Sequence, residues 1–103
     1  MTDAEFLQAV KHSVHEIDPQ AEVWLFGSRA RGDARPDSDW DFLVLTEKET
    51  SKAVKNQLRD SLFEVELLEN KVIGSIIHSK REWEDDYRVT PLYRNIKRDW
   101  RSV

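Results

Sequence analysis

The chain has 103 residues, a formal net charge of −4 at pH 7 and no cysteine. This length is enough for one core, so we expect residues 1–103 to form a single domain. The lack of cysteine excludes disulfide bonds and thiolate metal sites, and the negative charge argues against a general surface for double-stranded nucleic acid. No apolar run reaches the length of a membrane span, and the acidic N-terminus lacks a signal-peptide pattern, so we expect a cytoplasmic protein.

The first two predicted elements are an amphipathic helix and an apolar strand. Apolar residues recur at helical spacing over residues 3–17, and Thr2 and Glu5 have the spacing of a capping box at the start of that helix. Residues 21–26 are bulky and mostly β-favouring, and this run ends abruptly at Gly27. The sequence therefore begins with a helix followed by a short strand.

A polar connection leads to a second strand. Residues 28–38 form this connection, and a short helical turn starts at Ser28. Residues 40–45 are apolar except for Asp41, a pattern typical of a strand that is buried on both faces.

The second half of the chain contains three helices and one strand. A long amphipathic helix is predicted over residues 49–69, with Asn70 as its stop, and a third strand over residues 72–77. A capping-box pattern precedes a helix over residues 80–87, and Pro91 starts a final amphipathic helix. The order helix, strand, strand, helix, strand, helix, helix predicts an α/β domain with a small sheet covered by helices.

Two aspartates open the second strand. Asp39 and Asp41 are two residues apart, so in a strand they share a face at a separation of about 6.6 Å along the chain. Carboxylates at this spacing can converge on Mg²⁺. Trp40 between them points to the opposite face and is expected in the core. By itself the pattern also fits two surface aspartates that accept hydrogen bonds from turn amides.

The turn after the first strand has the features of an anion site. A Gly27-Ser28 turn exposes backbone N–H groups, the Ser28 hydroxyl adds a donor, and glycine allows a phosphate to approach the backbone. Arg31, and with less support Arg29, lie within reach to neutralise phosphate charge. The alternative is a helix start without a ligand. If the two strands are neighbours, however, the turn and the carboxylates meet at one edge, as binding of a Mg²⁺-triphosphate requires.

Gly27-Ser28, ten intervening residues and Asp39-Trp40-Asp41 resemble the signature of the minimal nucleotidyltransferases, a short branch of the DNA polymerase β superfamily. The resemblance implies a nucleotidyltransferase fold with a small mixed β-sheet. It also implies that a nucleoside monophosphate, with ATP as the default donor, is transferred to an acceptor hydroxyl. Gly27, Ser28 and Arg31 would then bind the nucleotide, while Asp39 and Asp41 would be the catalytic residues that hold Mg²⁺.

The resemblance also suggests a partner. Minimal nucleotidyltransferases of this size are similar to antitoxins encoded beside a small helical toxin of the HEPN class, and some of them silence the toxin by adding AMP. We therefore expect the acceptor to be a partner protein such as a HEPN-type toxin, with an RNA acceptor as an alternative. A basic C-terminal segment that contains Arg94, Lys97 and Arg98 supports a separate alternative, a protein that binds RNA without using the two aspartates.

One feature departs from the family pattern. Family members often carry a third carboxylate on the strand after the long helix, but residues 72–77 contain no acid. Glu66 would supply it only if residues 63–68 formed a strand. Without a third acid, the alternative function is a catalytically degenerate domain that binds a nucleotide or acts as an antitoxin by binding alone.

The three histidines are interpreted as structural or surface residues. His12 and His15 lie three residues apart on the first helix, where a metal pair would lack a third ligand. His78, at the end of the third strand, is assigned a structural or solvent-facing role in preference to a contact with the nucleotide.

Overall fold

The computed structural model describes residues 2–103. In chain order its elements are α1 (Asp3–Ile17), β1 (Glu22–Phe26), α2 (Ser28–Arg31), β2 (Trp40–Thr46), α3 (Lys52–Glu69), β3 (Ile73–Ser79), α4 (Lys80–Asp85), α5 (Pro91–Asp99) and β4 (Arg101–Ser102). The predicted order of helices and strands is confirmed, including the short helical turn at Ser28. The predicted order lacked β4, and α4 ends two residues earlier than expected.

The four strands form one mixed sheet in the order β3-β2-β1-β4. The first two strands are antiparallel neighbours, with Phe26 paired to Asp41. The third strand runs parallel to β2, with Gly74 paired to Asp41. Asp41 therefore lies on a central strand, between the end of β1 and the start of β3. The expected small mixed sheet covered by helices is confirmed.

Each face of the sheet carries its own apolar cluster. Trp40, Phe42 and Val44 pack with buried residues of α1 and α3, whereas Leu43 and Leu45 pack with residues of α4 and α5. Trp40 is only 5% exposed, so its predicted place in the core is confirmed. Because strand side chains alternate, Asp41 belongs to the face that α4 and α5 cover.

Local sequence signals set the helix ends. Thr2 and Glu5 form both hydrogen bonds of the predicted capping box at α1. Ser79 and Glu82 form a second capping box at α4. Asn70 ends α3 in the left-handed conformation, with φ of 54°, as its sequence position indicated. The long helix thus ends before the chain turns into β3.

The last residues of the chain complete the sheet. Trp100 stacks on Trp24 of β1, with ring centroids 3.8 Å apart and an interplanar angle of 12°. Beyond β4, the N–H of Val103 donates to the Val23 carbonyl at 3.0 Å. A strand of two residues has no readable periodicity, which is why the sequence pattern did not predict β4. Among the described residues, no helix is long and apolar enough to span a membrane.

Candidate active site

The turn after β1 and the carboxylate of Asp41 meet at one edge of the sheet. A Cβ atom at Gly27 would lie 2.5 Å from Oδ2 of Asp41, and one at Gly74 would lie 2.6 Å from Oδ1. The two carboxylate oxygens thus face two glycines on either side of β2, Gly27 just after β1 and Gly74 in β3. The structure therefore brings together the two halves of the predicted site, which are separated by the whole connection in sequence.

Asp39 and Asp41 carry like charges close together, and Asp41 is in addition partly buried. Asp39 is exposed just before β2, whereas Asp41 is partly buried at its start. Burial, and then the negative charge of Asp39, raise the pKa of Asp41, while Arg31 opposes both effects. A cation bound between the two carboxylates would relieve this repulsion and stabilise the ionised form.

The donor set fits Mg²⁺ better than a metal enclosed by protein. Within residues 2–103, no group of three or more His, Asp or Glu side chains could hold a metal ion. Mg²⁺ usually keeps several waters and is bound through one or two carboxylates together with substrate phosphates. Asp39 and Asp41 would supply that number of protein ligands.

The Gly27-Ser28 turn has the backbone geometry expected of an anion site. Gly27 has φ of 75°, a conformation that favours glycine, and its carbonyl accepts the N–H groups of Ala30 and Arg31, both at 3.1 Å. The N–H groups of Ser28 and Arg29 begin α2, so no preceding helical turn supplies them with carbonyls. These two N–H groups and the Ser28 hydroxyl are candidate donors for an anion at the turn that adjoins Asp41.

Arg31 is held near the turn by two carboxylates. Its Nε lies 3.2 Å from Oδ2 of Asp33, and its Nη1 lies 3.6 Å from Oδ2 of Asp99 in α5. The hydrogen bond and the charge of Asp33, followed by Asp99, raise the pKa of Arg31. Its side chain is 45% exposed, so a phosphate reaching the turn has access to the guanidinium.

Arg29 has a different role from the one its sequence position suggested. Its Nη2 donates to the carbonyls of Ser38 at 3.0 Å and Pro36 at 3.3 Å, and its guanidinium lies 4.5 Å from the centroid of the Trp40 ring. These contacts engage the guanidinium with the loop before Asp39 and with the Trp40 ring, which disfavours the expectation that it neutralises phosphate. Arg29 thus stabilises the loop that precedes Asp39.

The loop before Asp39 is also held by a local hydrogen bond. The backbone N–H of Arg35 donates to Oγ of Ser38 at 2.8 Å. The Ser38 hydroxyl thus stabilises the turn that leads to Asp39.

The histidines lie where the sequence interpretation expected them. His12 is on the surface, where its Nε2 lies 2.9 Å from Oε1 of Glu16 and its side chain is 77% exposed. His78 is 8% exposed and packs against Tyr87, at the end of β3 remote from Gly74. Its preferred structural role is confirmed.

A comparison with known families assigns this arrangement. Residues 7–102 match the family described as "Nucleotidyltransferase domain". The chain belongs to this family of transferase enzymes. The match covers more than nine tenths of the chain, so the family assignment includes both halves of the site and the helices on both faces of the sheet.

A curated relative and two solved structures give closer comparisons. Over 64 residues the chain is 31% identical to "Probable protein adenylyltransferase MntA" of Haemophilus influenzae, and this segment is 62% of the chain and 56% of the relative. The chain therefore matches little more than half of that relative's length. A structure described as a "putative minimal nucleotidyltransferase" is 27% identical, with a TM-score of 0.56, over 99% of this chain and 95% of the other.

The second structure is similar in fold alone. It is a toxin-antitoxin crystal structure with AMP-PNP, 16% identical, with a TM-score of 0.66, over 92% of this chain and 69% of the other. Chains with little sequence in common thus share the arrangement of sheet and helices seen here.

This nucleotidyltransferase domain has no acid on β3 where one would face Asp41. The residue paired with Asp41 is Gly74, and the neighbouring positions of β3 are also uncharged. The alternative that Glu66 lies on a strand is wrong, because Glu66 belongs to α3 and its Oε1 accepts the Ile73 N–H at 2.7 Å. Glu66 ties the long helix to the start of β3.

A pocket that the sequence interpretation did not include adjoins the turn. It has a volume of about 580 Å³ and lies between Gly27, Arg31 and the α5 residues Leu92, Asn95 and Asp99. Only the tertiary fold brings α5 to the turn, since more than sixty residues separate them in sequence. The amphipathic pattern of α5 predicted a helix but gave no sign of which element it faces.

Proposed function

We propose that this domain transfers AMP from ATP to an acceptor hydroxyl, with Mg²⁺ bound by Asp39 and Asp41. The observation that carries the proposal is the close approach of Gly27 to Asp41, because it means that the turn lies beside the carboxylate pair. The family to which the chain belongs supports nucleotidyl transfer. The name of the relative, a protein adenylyltransferase, supports adenosine as the nucleoside.

In the proposed reaction, this chain binds and orients the triphosphate. The N–H groups and hydroxyl of the Gly27-Ser28 turn donate to the terminal phosphates, and Arg31 offsets their charge. Asp39 and Asp41 hold Mg²⁺, which would neutralise charge on the attacking and leaving oxygens. The acceptor oxygen attacks the α-phosphorus in line. A new P–O bond forms, the hydroxyl proton passes to solvent, the bond to the β-phosphate breaks, and pyrophosphate leaves.

The proposed acceptor is a hydroxyl of a partner protein, such as a HEPN-type toxin. The relative's name supports a protein acceptor. The toxin-antitoxin structure supports such a partner only through a shared fold. An RNA acceptor is the alternative outcome of the same experiment.

A second candidate function is binding without turnover. It is favoured by the absence of an acid at Gly74, the position on β3 that pairs with Asp41. Two carboxylates are enough to bind a Mg²⁺-nucleotide, but no further acid on this strand assists the acceptor. In this case the domain would hold a nucleotide or neutralise a partner by contact.

Transfer of radioactive label tests the first function against the second. The purified protein is incubated with Mg²⁺, host-cell lysate and ATP labelled at the α-phosphate or, separately, at the γ-phosphate. We expect one species to carry the α-label alone, and protease or ribonuclease treatment identifies it as protein or RNA. The Asp39→Asn/Asp41→Asn variant should not label it, whereas Asp37→Asn, an exposed neighbour in the same loop, should.

Nucleotide binding is measured on the same preparations. If ATP binds only with Mg²⁺ and with intact Asp39 and Asp41 but no label is transferred, even to a supplied partner, binding without turnover replaces transfer. If the wild-type protein does not bind ATP with Mg²⁺ at all, transfer and nucleotide binding are both contradicted, and neutralisation of a partner by contact is the function that is left.

A further inference from the structure

The pocket beside α5 extends the candidate site away from the carboxylates. Gly27 belongs to both, because it contacts Asp41 on one side and lines the pocket of about 580 Å³ on the other. A volume of this size is within the usual range for a site that binds a small organic ligand. A nucleotide whose phosphates lie at the turn can therefore extend its nucleoside towards α5.

The walls of this pocket combine apolar and polar groups. Phe26 from the end of β1 and Leu92 from α5 line it, and Leu92 is 38% exposed despite its size. Apolar and aromatic side chains pack well against the flat face of a nucleobase. Every base has such a face, so these two residues favour binding of a base but do not select one base over another.

Asn95 is the polar residue of α5 that can distinguish bases. It lines the pocket one helical turn after Leu92, and its Oδ1 accepts a hydrogen bond from Nη2 of Arg98, which also lines the pocket. That bond orients the amide, leaving its N–H groups and a second lone pair of Oδ1 available to a ligand. An asparagine amide can pair with both N6 and N7 of adenine.

We propose that α5 binds the nucleoside of the donor nucleotide and that Asn95 selects adenine. This inference rests on the proposed function and names the substrate specificity of the same site. Guanine presents O6 where adenine presents its amino group, so guanine would oppose Oδ1 of Asn95. Arginine prefers the guanine edge, and the bond to Asn95 keeps Arg98 from making that contact.

Paired affinity measurements test the inference. Dissociation constants for ATP and GTP are measured by calorimetry with Mg²⁺ on the wild-type protein, Asn95→Ala and Asn95→Asp. We expect the wild-type protein to bind ATP about tenfold more tightly than GTP. Asn95→Ala should abolish this preference for ATP, because it weakens the binding of ATP and frees Arg98 to contact guanine. Asn95→Asp keeps the shape and the partner of Arg98 but loses the amide donors, so it should also reduce the preference for ATP.

The controls separate this inference from the proposed function. Arg94→Ala changes an exposed α5 residue outside the pocket lining and should leave both affinities unchanged. Asp39→Asn/Asp41→Asn should weaken the binding of ATP and of GTP by the same factor. If the wild-type protein binds nucleotides but the ATP-to-GTP ratio is the same in Asn95→Ala, the inference is wrong and the proposed function stands. If no nucleotide binds to the wild-type protein, both are wrong.

Discussion

Gly74 and Asp41 are paired across β3 and β2, and a Cβ atom at Gly74 would lie 2.6 Å from Oδ1 of Asp41. Gly27 leaves the corresponding space for the other oxygen, since a Cβ atom there would lie 2.5 Å from Oδ2 of Asp41. Real Cβ atoms do not approach a carboxylate oxygen this closely, so any other residue at either position must displace Asp41 or move itself. The position of the Asp41 carboxylate therefore depends on glycine, which has no side chain, at both positions.

Alanine at the glycines should separate steric contact from backbone strain. Gly74→Ala adds a clash with Asp41 without a positive φ, so it should weaken Mg²⁺-ATP binding at least tenfold while changing stability little. Gly27→Ala adds the same kind of clash at a φ of 75°, so it should weaken Mg²⁺-ATP binding and also lower the free energy of unfolding. Calorimetric titration and urea unfolding measure the two effects.

Gly32→Ala is the matched control for these variants. Its φ is 85°, but a Cβ there would meet nothing within 4 Å. It should lower the free energy of unfolding by about 1–2 kcal/mol from strain and leave nucleotide affinity unchanged. Unchanged nucleotide affinity in Gly74→Ala would contradict the role of Gly74 in positioning Asp41.

The ion pair between Arg31 and Asp99 should compete with phosphate. Asp99→Asn removes a negative charge 3.6 Å from Nη1 of Arg31, so we expect ATP to bind two- to fivefold more tightly, as a partly exposed pair allows. The gain should shrink in 0.5 M salt because exposed charges are screened.

A double-mutant cycle checks this coupling between Arg31 and Asp99. In an Arg31→Ala background, Asp99→Asn should have little further effect on ATP affinity. An equal gain with and without Arg31 would mean that Asp99 repels the nucleotide directly.

Local patterns predicted the parts of the site that are close in sequence. The Gly-Ser turn and the alternation of Asp39, Trp40 and Asp41 needed only the geometry of one strand and its end. The turn could meet Asp41 only if β1 and β2 were neighbours, and their antiparallel pairing fulfils that condition. These residues could be recognised because short-range backbone geometry determines where their side chains point.

Other features depend on contacts between distant segments. The engagement of Arg29 by Ser38 and Trp40 follows from how the loop folds back, whereas residue type alone made Arg29 a candidate for phosphate, with less support than Arg31. The stack of Trp24 on Trp100 joins β1 to the segment that leads into its neighbour β4, and neither tryptophan identifies its partner in the sequence. The pocket at α5 has the same origin, because it exists only once that helix packs over β1.

Asp18 stabilises the end of β2 that lies opposite the candidate site. Although the residue is only 4% exposed, its carboxylate accepts bonds from Thr46 Oγ1 at 2.6 Å, Glu47 N at 2.9 Å and Gln20 N at 3.0 Å. Burial raises the pKa of Asp18, but these bonds outweigh it and the net shift is downward. Asp18→Ala should cost about 2–4 kcal/mol of unfolding free energy at pH 7, since it leaves buried donors unpaired.

The sign of the shift predicts how this contribution depends on pH. A carboxyl group whose pKa is lowered by folding stabilises the protein above its unfolded pKa, about 3.9, and loses that contribution as the pH falls through the folded value. Urea unfolding at pH 7 and pH 3 should therefore show a smaller difference between the wild type and Asp18→Ala at pH 3. An equal difference at both pH values would show that its charge contributes nothing.

His78 should make stability depend on pH in a higher range. Burial lowers its pKa, while Glu82 acts in the opposite direction and Lys55 adds to the decrease. Its ring lies 4.1 Å from that of Tyr87, in the cluster that holds α4 against β3. A histidine with a lowered pKa contributes fully above its unfolded pKa, about 6.5, and that contribution is lost as the pH falls from there through the folded value.

Unfolding free energies from pH 8 to pH 5 measure the effect of His78. The wild-type protein should lose stability on acidification because the unfolded chain binds the proton more tightly than the buried ring does. His78→Phe keeps an aromatic ring against Tyr87 but cannot titrate, so its stability should vary less over this range. His12→Gln removes a histidine that is 77% exposed and should retain the wild-type pH dependence. If His78→Phe loses as much stability as the wild type on acidification, another group is responsible.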